Sequence, residues 1–180
     1  MKKWYRILFL TFFIFINCKT YKESIKENSF VKTSLNYKSG ELKAKGFYNK
    51  EYYDDVKLPV GLWTEYYKNG VIKSIGEYKM ENYTDCCTGG ICKTPYSYKI
   101  GEWKYFFNDR KLKEKGIYRI GTKIIETSCE GGAEIKYGRV NKNWIFYNVK
   151  GELREISKKE IQNIEKESVV SYWDAVKLEL

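Results

Sequence analysis

One aromatic phrase recurs along this 180-residue chain and limits its fold more than any other feature. The clearest copy spans 61–72 (GLWTEYYKNGVI), a second spans 101–112 (GEWKYFFNDRKL), and weaker copies span 36–42 and 143–153. Repetition at this scale predicts an array of like elements, each burying its apolar face against its neighbours. It also makes an enzyme less expected, because a repeated unit is usually a building block.

Each copy has the pattern of a β-hairpin. Aromatic and β-branched runs flank a short turn, and Asn-Gly in that position is the strongest short-range hairpin signal because both turn residues need positive φ. Aromatic residues make up 17% of the chain, which favours strands over helices. The predicted turns are Ser39-Gly40, Asn69-Gly70, Asp109-Arg110 and Lys150-Gly151. The third lacks the glycine, so we expect it to be longer or strained.

Two-residue turns would fix the register within each hairpin. A turn of that length at 69–70 pairs Trp63 with Gly76, and the same register pairs Trp103 with Gly116. We therefore predict that each indole lies over the glycine across its own hairpin, where the missing side chain leaves room. The same register gives the further pairs Tyr67–Ile72, Phe107–Leu112, Thr33–Gly46 and Trp144–Ser157.

Strand alternation sorts the side chains onto an aromatic face and a basic face. We interpret the aromatic set as the packing between neighbouring hairpins, with a strip that binds carbohydrate or peptide as the alternative. The lysines are expected to form a solvated surface that discourages edge-to-edge pairing, or else one that attracts an anionic lipid or polymer. The candidate binding residues on this face are Lys73, Lys111, Lys113 and Lys115.

The repeated residues resemble the MORN-type repeat in its bacterial variant, which reads roughly Gly-x-Trp-x-x-Tyr-Tyr-x-Asn-Gly-x-Leu/Ile and then Gly-x-Tyr. The resemblance covers about 31–156 and implies a row of antiparallel hairpins with interaction or scaffold roles and no catalytic residues. The expected fold is therefore all-β, with antiparallel β-hairpin repeats in one extended, curved sheet and a short C-terminal helix. The residues that match best are Gly61, Trp63, Tyr66, Tyr67, Asn69, Gly70, Ile72, Gly76 and Tyr78.

The N-terminus has the form of an export signal. Three cations at 2–6 precede an apolar run at 7–16, which is too short to cross a bilayer and suits a signal peptide. Cys18 follows, and the chain then turns polar. This pattern resembles a bacterial lipoprotein signal, which implies that 1–17 is removed and that Cys18 carries the lipid that binds the membrane. An ordinary cleaved signal or a cytoplasmic protein are the alternatives. We read 18–30 as a flexible tether.

Four further cysteines interrupt the hairpin rhythm in two segments, which we take as loops at the same edge of the sheet. Outside the cytoplasm they suggest two disulfides, with three connectivities open. A bond between the segments would link neighbouring repeats. Free thiols, a four-sulfur metal site and redox catalysis are the alternatives, and the absence of Cys-x-x-Cys argues against the last. The disulfide candidates are Cys86, Cys87, Cys92 and Cys129.

The tail and the composition complete the sequence-based picture. Ser157 and Glu160 form a capping box that predicts a helix to about Glu167, and we expect 157–180 to close the open end of the sheet.

The chain has no histidine, which excludes Ser-His-Asp catalysis and histidine-ligated metals. No cofactor is expected.

These observations together predict a non-enzymatic envelope lipoprotein whose repeat sheet binds a protein or an envelope polymer. The variant of the repeat is often labelled antitoxin-like, so an immunity protein that neutralises a toxin at the envelope is the alternative, and it would need a toxin gene nearby. Nucleic acid is not an expected partner of an exported chain, although the net charge is +10.

Overall fold

Seven antiparallel strands follow one another in chain order across one open sheet. The structure, a computed structural model, describes residues 29–50 and 58–179, so the predicted signal peptide and Cys18 lie outside the described residues. Strand β8 pairs with β6, and β9 pairs with β5. The predicted all-β hairpin sheet with a C-terminal helix is confirmed. Its elements are β1 (Phe30–Asn36), β2 (Leu42–Asn49), β3 (Pro59–Tyr66), β4 (Ile72–Cys87), β5 (Gly90–Phe106), β6 (Leu112–Ile125), β7 (Ala133–Arg139), β8 (Ile145–Phe146), α1 (Lys158–Lys166), β9 (Val169–Ser171) and α2 (Tyr172–Glu179).

The four predicted turns are all present, but none is a two-residue turn. In the second hairpin the N–H of Gly70 donates to the carbonyl of Tyr67 at 2.9 Å, and the N–H of Tyr67 donates to Val71 at 2.8 Å. Consequently Tyr66, not Tyr67, lies opposite Ile72. A bulge beside the turn absorbs the extra residue, so the predicted register is restored from Glu65 outwards. The third hairpin repeats this geometry, with Phe106 rather than Phe107 opposite Leu112.

The glycine-free turn has the same length as the others, which corrects the expectation of a longer one. Arg110 occupies the glycine position at φ 72°, and it is the one residue other than glycine in the described ranges with positive φ. The Asp109 side chain accepts the N–H of Lys111 at 3.1 Å and so supports the turn. Arg110 carries the strain of a left-handed backbone, which costs a side chain-bearing residue about 1 kcal/mol.

Each of the three tryptophans of the repeats lies over a glycine of the preceding hairpin. Trp63 covers Gly46, Trp103 covers Gly76, and Trp144 covers Gly116; a Cβ at any of these glycines would come under 3.0 Å from indole ring carbons. The registers Trp63–Gly76, Trp103–Gly116 and Thr33–Gly46 are confirmed, but the predicted stacking within one hairpin is wrong.

The indole hydrogen bonds likewise run from each hairpin to the hairpin before it. Every indole N–H donates to the carbonyl that directly follows the covered glycine. These bonds are Trp63 to Phe47 at 2.8 Å, Trp103 to Glu77 at 3.2 Å and Trp144 to Ile117 at 3.1 Å. The three contacts are therefore one interaction repeated between successive hairpins, with the buried donor satisfied each time.

A bulge between hairpins produces the offset. The ladder between β2 and β3 pairs Lys45 with Thr64 and then Phe47 with Val60, so residues 61–63 lie opposite Gly46 alone. Gly61 makes this bulge at φ 63°, and Gly101 makes the equivalent one in β5 at φ 65°. Positive φ favours glycine at these positions. The bulge aims the tryptophan two residues later at the neighbouring hairpin.

The aromatic face is buried, which confirms its interpretation as packing between hairpins. Trp103 is fully buried, and Trp63 and Trp144 are nearly so. Tyr78 meets the edge of Trp103 at a ring-centre distance of 5.1 Å, and Tyr118 meets Trp144 at 4.7 Å. Edge-to-face rings at these distances stabilise beyond the area they bury. The three tryptophans are not an exposed ligand strip.

The first cysteine segment is the tight tip of a hairpin, whereas the second, at 126–132, is an irregular loop between β6 and β7. Strands β4 and β5 run on past the repeat until Cys87 pairs with Gly90, which leaves a two-residue turn. Strands β6 and β7 form a second long hairpin beside it. The amide N–H of Lys136 on β7 donates to the Tyr96 hydroxyl on β5 at 2.9 Å. The prediction that both segments lie at the same edge is confirmed.

The tail crosses the sheet instead of closing its end. Helix α1 begins after Ser157 with the predicted capping box, which is confirmed. Ser157 therefore leaves the sheet, and the predicted Trp144–Ser157 pair does not form. The chain then returns to the middle, where β9 pairs with residues 96–98 of β5. Isoleucines at 156, 161 and 164 pack on the aromatic core.

Within the described ranges, neither helix is both long and apolar enough to cross a bilayer.

The offset contact predicts a large effect of one methyl group. Gly76→Ala should lower the free energy of unfolding by about 3 kcal/mol, because the Cβ would displace the Trp103 ring from a packed position. Urea unfolding measures this. Gly89→Ala is the matched control: Gly89 lies in the turn between β4 and β5, with no atom within 4 Å of its Cβ. Equal stability of the two variants would contradict the contact.

Candidate binding sites

The inner aromatic face stays open over the first hairpin, where it forms a groove of about 510 Å³. Two residues after the tryptophan, the later hairpins carry Tyr105 and Phe146, which stack on their own indoles at 5.7 and 6.0 Å. The second hairpin carries Glu65 at this position, so none of the described residues places a ring there as Tyr105 and Phe146 do. The groove is lined by Leu35, Asn36, Tyr37, Lys43, Ala44, Pro59, Trp63, Glu65, Tyr66, Lys73, Tyr78, Val170 and Ala175.

The groove combines an apolar floor with a few placed polar groups. Glu65 accepts a hydrogen bond from the Ser74 hydroxyl at 2.9 Å and lies 3.7 Å from the Lys73 amine. Lys43 adds a second cation at the rim. Of the described residues that line it, Glu65 is the one carboxylate. Mostly apolar surface with few convergent polar groups is the usual composition of a ligand site.

A buried lysine lies among the aromatic rings of the core. The Lys99 amine donates to the Tyr105 hydroxyl at 3.0 Å and lies 4.5 Å from the centre of the Trp103 ring. Burial lowers the pKa of Lys99 to about 8, while Glu65 and Glu167 act in the opposite direction. Lys99 was not predicted from the sequence, although its spacing of four residues from Trp103 indicates that both lie on the same face of β5.

Burial also shifts the pKa of the tyrosine and glutamate side chains near Lys99. The Tyr105 hydroxyl lies 3.1 Å from the Tyr118 hydroxyl, and burial raises the pKa of both. Burial also raises the pKa of Glu114, which the charges of Lys113, Arg154 and Lys99 partly offset. Lys99, Tyr105 and Tyr118 thus form a chain of hydrogen-bonded polar groups in the core, with Glu114 nearby.

The structure places the four candidate lysines in different surroundings. Lys73 reaches the first-hairpin groove, as described above. Lys111 pairs with Asp109 at 3.1 Å and also donates to the Val149 carbonyl at 3.2 Å. Lys113 lies 3.9 Å from Glu114, and Lys115 lines a cleft beside β8. Three of the four thus have a carboxylate nearby, and their binding role stays a prediction.

The four cysteines form two pairs at disulfide distance. Cys86 pairs with Cys129, which joins the two long hairpins across a sequence separation of 43 residues. Cys87 pairs with Cys92 within one hairpin, five residues apart. One of the three open connectivities is thereby selected. In the part of the chain that the structure describes, no three cysteine or acidic side chains are grouped to hold a metal ion.

Comparison with protein-family models, with curated proteins and with solved structures finds no match to this chain. The resemblance to the MORN-type repeat therefore rests on the residues quoted above. The function has to be inferred from the grooves, charges and cysteine pairs themselves.

The two cysteine pairs should differ in their contribution to stability. Cys129→Ser should lower the free energy of unfolding by about 4 kcal/mol, because the pair closes a long loop in the unfolded chain. Cys92→Ser opens a short loop and should cost about 2 kcal/mol. Urea unfolding of each variant, with its released partner cysteine also changed to serine, measures the difference. A larger loss from the short loop would contradict the assignment.

Lys99 should make stability depend on pH in the alkaline range. Its pKa of about 8 in the folded protein lies below the ordinary 10.5, so the unfolded chain binds more protons between these values. Below pH 8 Lys99 is charged in the folded protein, so the full cost of burying that charge lowers the stability. Above pH 8 the folded protein releases the proton, and this cost falls. The free energy of unfolding should therefore rise between about pH 8 and 9.5, before the buried tyrosines begin to destabilise the fold.

Lys99→Met is the control for this rise. The variant keeps the length of the side chain without its charge, so it should be more stable than the native chain at neutral pH and should lose the alkaline rise. An unchanged rise in the variant would assign the effect to another group, such as Lys123, whose pKa burial also lowers.

Proposed function

We propose that this protein is a lipid-anchored protein of the bacterial envelope whose repeat sheet is a binding scaffold for a protein or an envelope polymer. The single observation that carries the binding role is the open groove over the first hairpin. Around Trp103 the repeats and the tail fill the aromatic face with their own side chains. At this end the filling aromatic is replaced by Glu65, and the described residues leave a surface suited to a partner uncovered.

The chemistry of the groove describes the partner. Tyr66 offers partly exposed ring surface above the nearly buried rings of Trp63 and Tyr78, which suits an apolar or carbohydrate group. Lys43 and the Glu65–Lys73 pair offer a donor and an acceptor of opposite charge at the rim. A partner that presents a ring or acyl group next to a polar group would match both features.

The envelope location is supported by two independent features of the chain. Paired cysteines are typical of proteins in oxidising compartments and rare in the cytoplasm. The basic head, short apolar run and Cys18 at the N-terminus have the pattern of a lipoprotein signal. Removal of 1–17 takes away Lys2, Lys3 and Arg6, so the mature chain would carry 10 − 3 = +7 and would be drawn to anionic envelope surfaces.

One in-cell experiment tests the anchor and the groove together. A photo-reactive amino acid in place of Lys43 should cross-link the partner, because this side chain lines the groove. Lys93, exposed on the distal hairpin, is the matched control position and should give no such adduct. Mass spectrometry of the same preparation should find Cys18 as an acylated first residue, and Cys18→Ser should release the protein from the membrane fraction.

Each half of the proposal can fail separately. Equal adducts from positions 43 and 93 would remove the groove as the binding site. A soluble protein with an unmodified Cys18 would remove the lipid anchor. The control for the anchor is Cys87→Ser, which also removes a thiol but should stay in the membrane fraction.

A further inference from the structure

Three of the chain's five arginines converge on one groove that the sequence analysis did not single out. Arg119 comes from the middle of β6, Arg139 from the end of β7, and Arg154 from the segment before α1. The connection from β7 to β8 adds Lys142. The groove has a volume of about 780 Å³, and its apolar side is formed by Trp144, Phe146, Ile156 and Ile161.

Arg119 and Arg139 are direct cross-strand partners in the β6–β7 ladder. Directly opposed residues of an antiparallel pair lie on the same face, with Cβ atoms about 5 Å apart. Like charges in this position destabilise the sheet. Both side chains are exposed, and neither has an ion-pair, hydrogen-bond or ring partner among the described residues. The fold thus keeps two guanidinium groups together without using either of them.

The neighbouring carboxylates do not balance this charge. Glu160 pairs with Arg154 at 2.8 Å, and Glu102, which lies near Arg119 in the adjoining cleft, pairs with Lys104 at 3.1 Å. Glu165 accepts the backbone N–H of Val140 at 2.9 Å. Glu155 alone lines the groove without such a partner. Arg119, Arg139 and Lys142 therefore face one lining carboxylate, Glu155, and the charge of Glu165 beside Val140 is the second nearby.

We propose that this groove, defined by Arg119, Arg139 and Lys142, binds a phosphate group. Two adjacent guanidinium forks can each form paired hydrogen bonds to phosphate oxygens, a geometry that lysine does not match. A bound dianion would also relieve the repulsion between the opposed arginines. Arg154, stacked over Phe146 at 5.9 Å and held by Glu160, forms a fixed wall of the groove.

The phosphate can come from a lipid headgroup or from free phosphate, and the two sources share this chemistry. The groove is lined by residues of β6, β7, β8 and α1, whereas the first-hairpin groove is lined by residues of β1 to β4 with Val170 and Ala175. The two sites share no lining residue. The inference therefore does not depend on the proposed scaffold function or on the lipid at Cys18.

Calorimetric titration of the purified protein tests the proposal with two probes. Inorganic phosphate represents the free dianion, and glycerophosphoglycerol represents the headgroup of phosphatidylglycerol. The native chain should bind at least one probe, and the double variant R119Q/R139Q should bind it about tenfold more weakly or worse, because two charge-assisted contacts are lost. The tighter probe identifies the source.

The matched control is the double variant K32Q/K93Q, which removes the same charge from two exposed positions outside both grooves and should change the affinity less than about twofold. Thermal unfolding supplies a second readout: phosphate should raise the melting temperature of the native chain above that in sodium chloride of equal ionic strength, and should not do so for R119Q/R139Q. Identical responses of the native chain and R119Q/R139Q to both probes would overturn the proposal, as would an equal loss in K32Q/K93Q.

Discussion

The sheet depends on one repeated contact, in which the indole of each hairpin lies on the bare backbone of the hairpin before it. Burial of a tryptophan in such a contact contributes on the order of 4 kcal/mol, and the same ring places its N–H on the carbonyl that follows the glycine. The contact joins nearest neighbours only, as in other repeat architectures. The turns, the capping helix and the cysteine pairs are built around an array that this contact holds together.

Local features of this fold were predictable, and features that depend on neighbouring strands were not. Asn69-Gly70 marks a turn in any sequence context, and strand parity then pairs Trp63 with Gly76. The indole's true partner depends on the bulge at Gly61, whose positive φ sets the direction of the ring. The path of the tail was unpredictable for a related reason. Strand β6 leaves β5 and pairs with β7, which frees one edge of β5. Strand β9 pairs with that edge.

The candidate sites show the same division. Sequence reasoning chose lysines because they recur with the repeat, and most of them have carboxylate neighbours in the fold. It passed over Arg119 and Arg139, which are twenty residues apart and belong to a hairpin outside the repeat. The first-hairpin groove could not be predicted for a different reason. It forms because position 65 carries no ring, and this is recognisable only once the neighbouring rings have been located in the structure.

The offset between indole and glycine also decides where the array stops. The first hairpin has Gly46 but Thr33 in the tryptophan position, and the last has Trp144 but Ser157, the helix cap, in the glycine position. Two molecules brought end to end would meet without either half of the stacking pair. This contact therefore does not extend beyond the described array: the first and last described hairpins lack its two groups at their outer edges, whereas every junction between described hairpins has them.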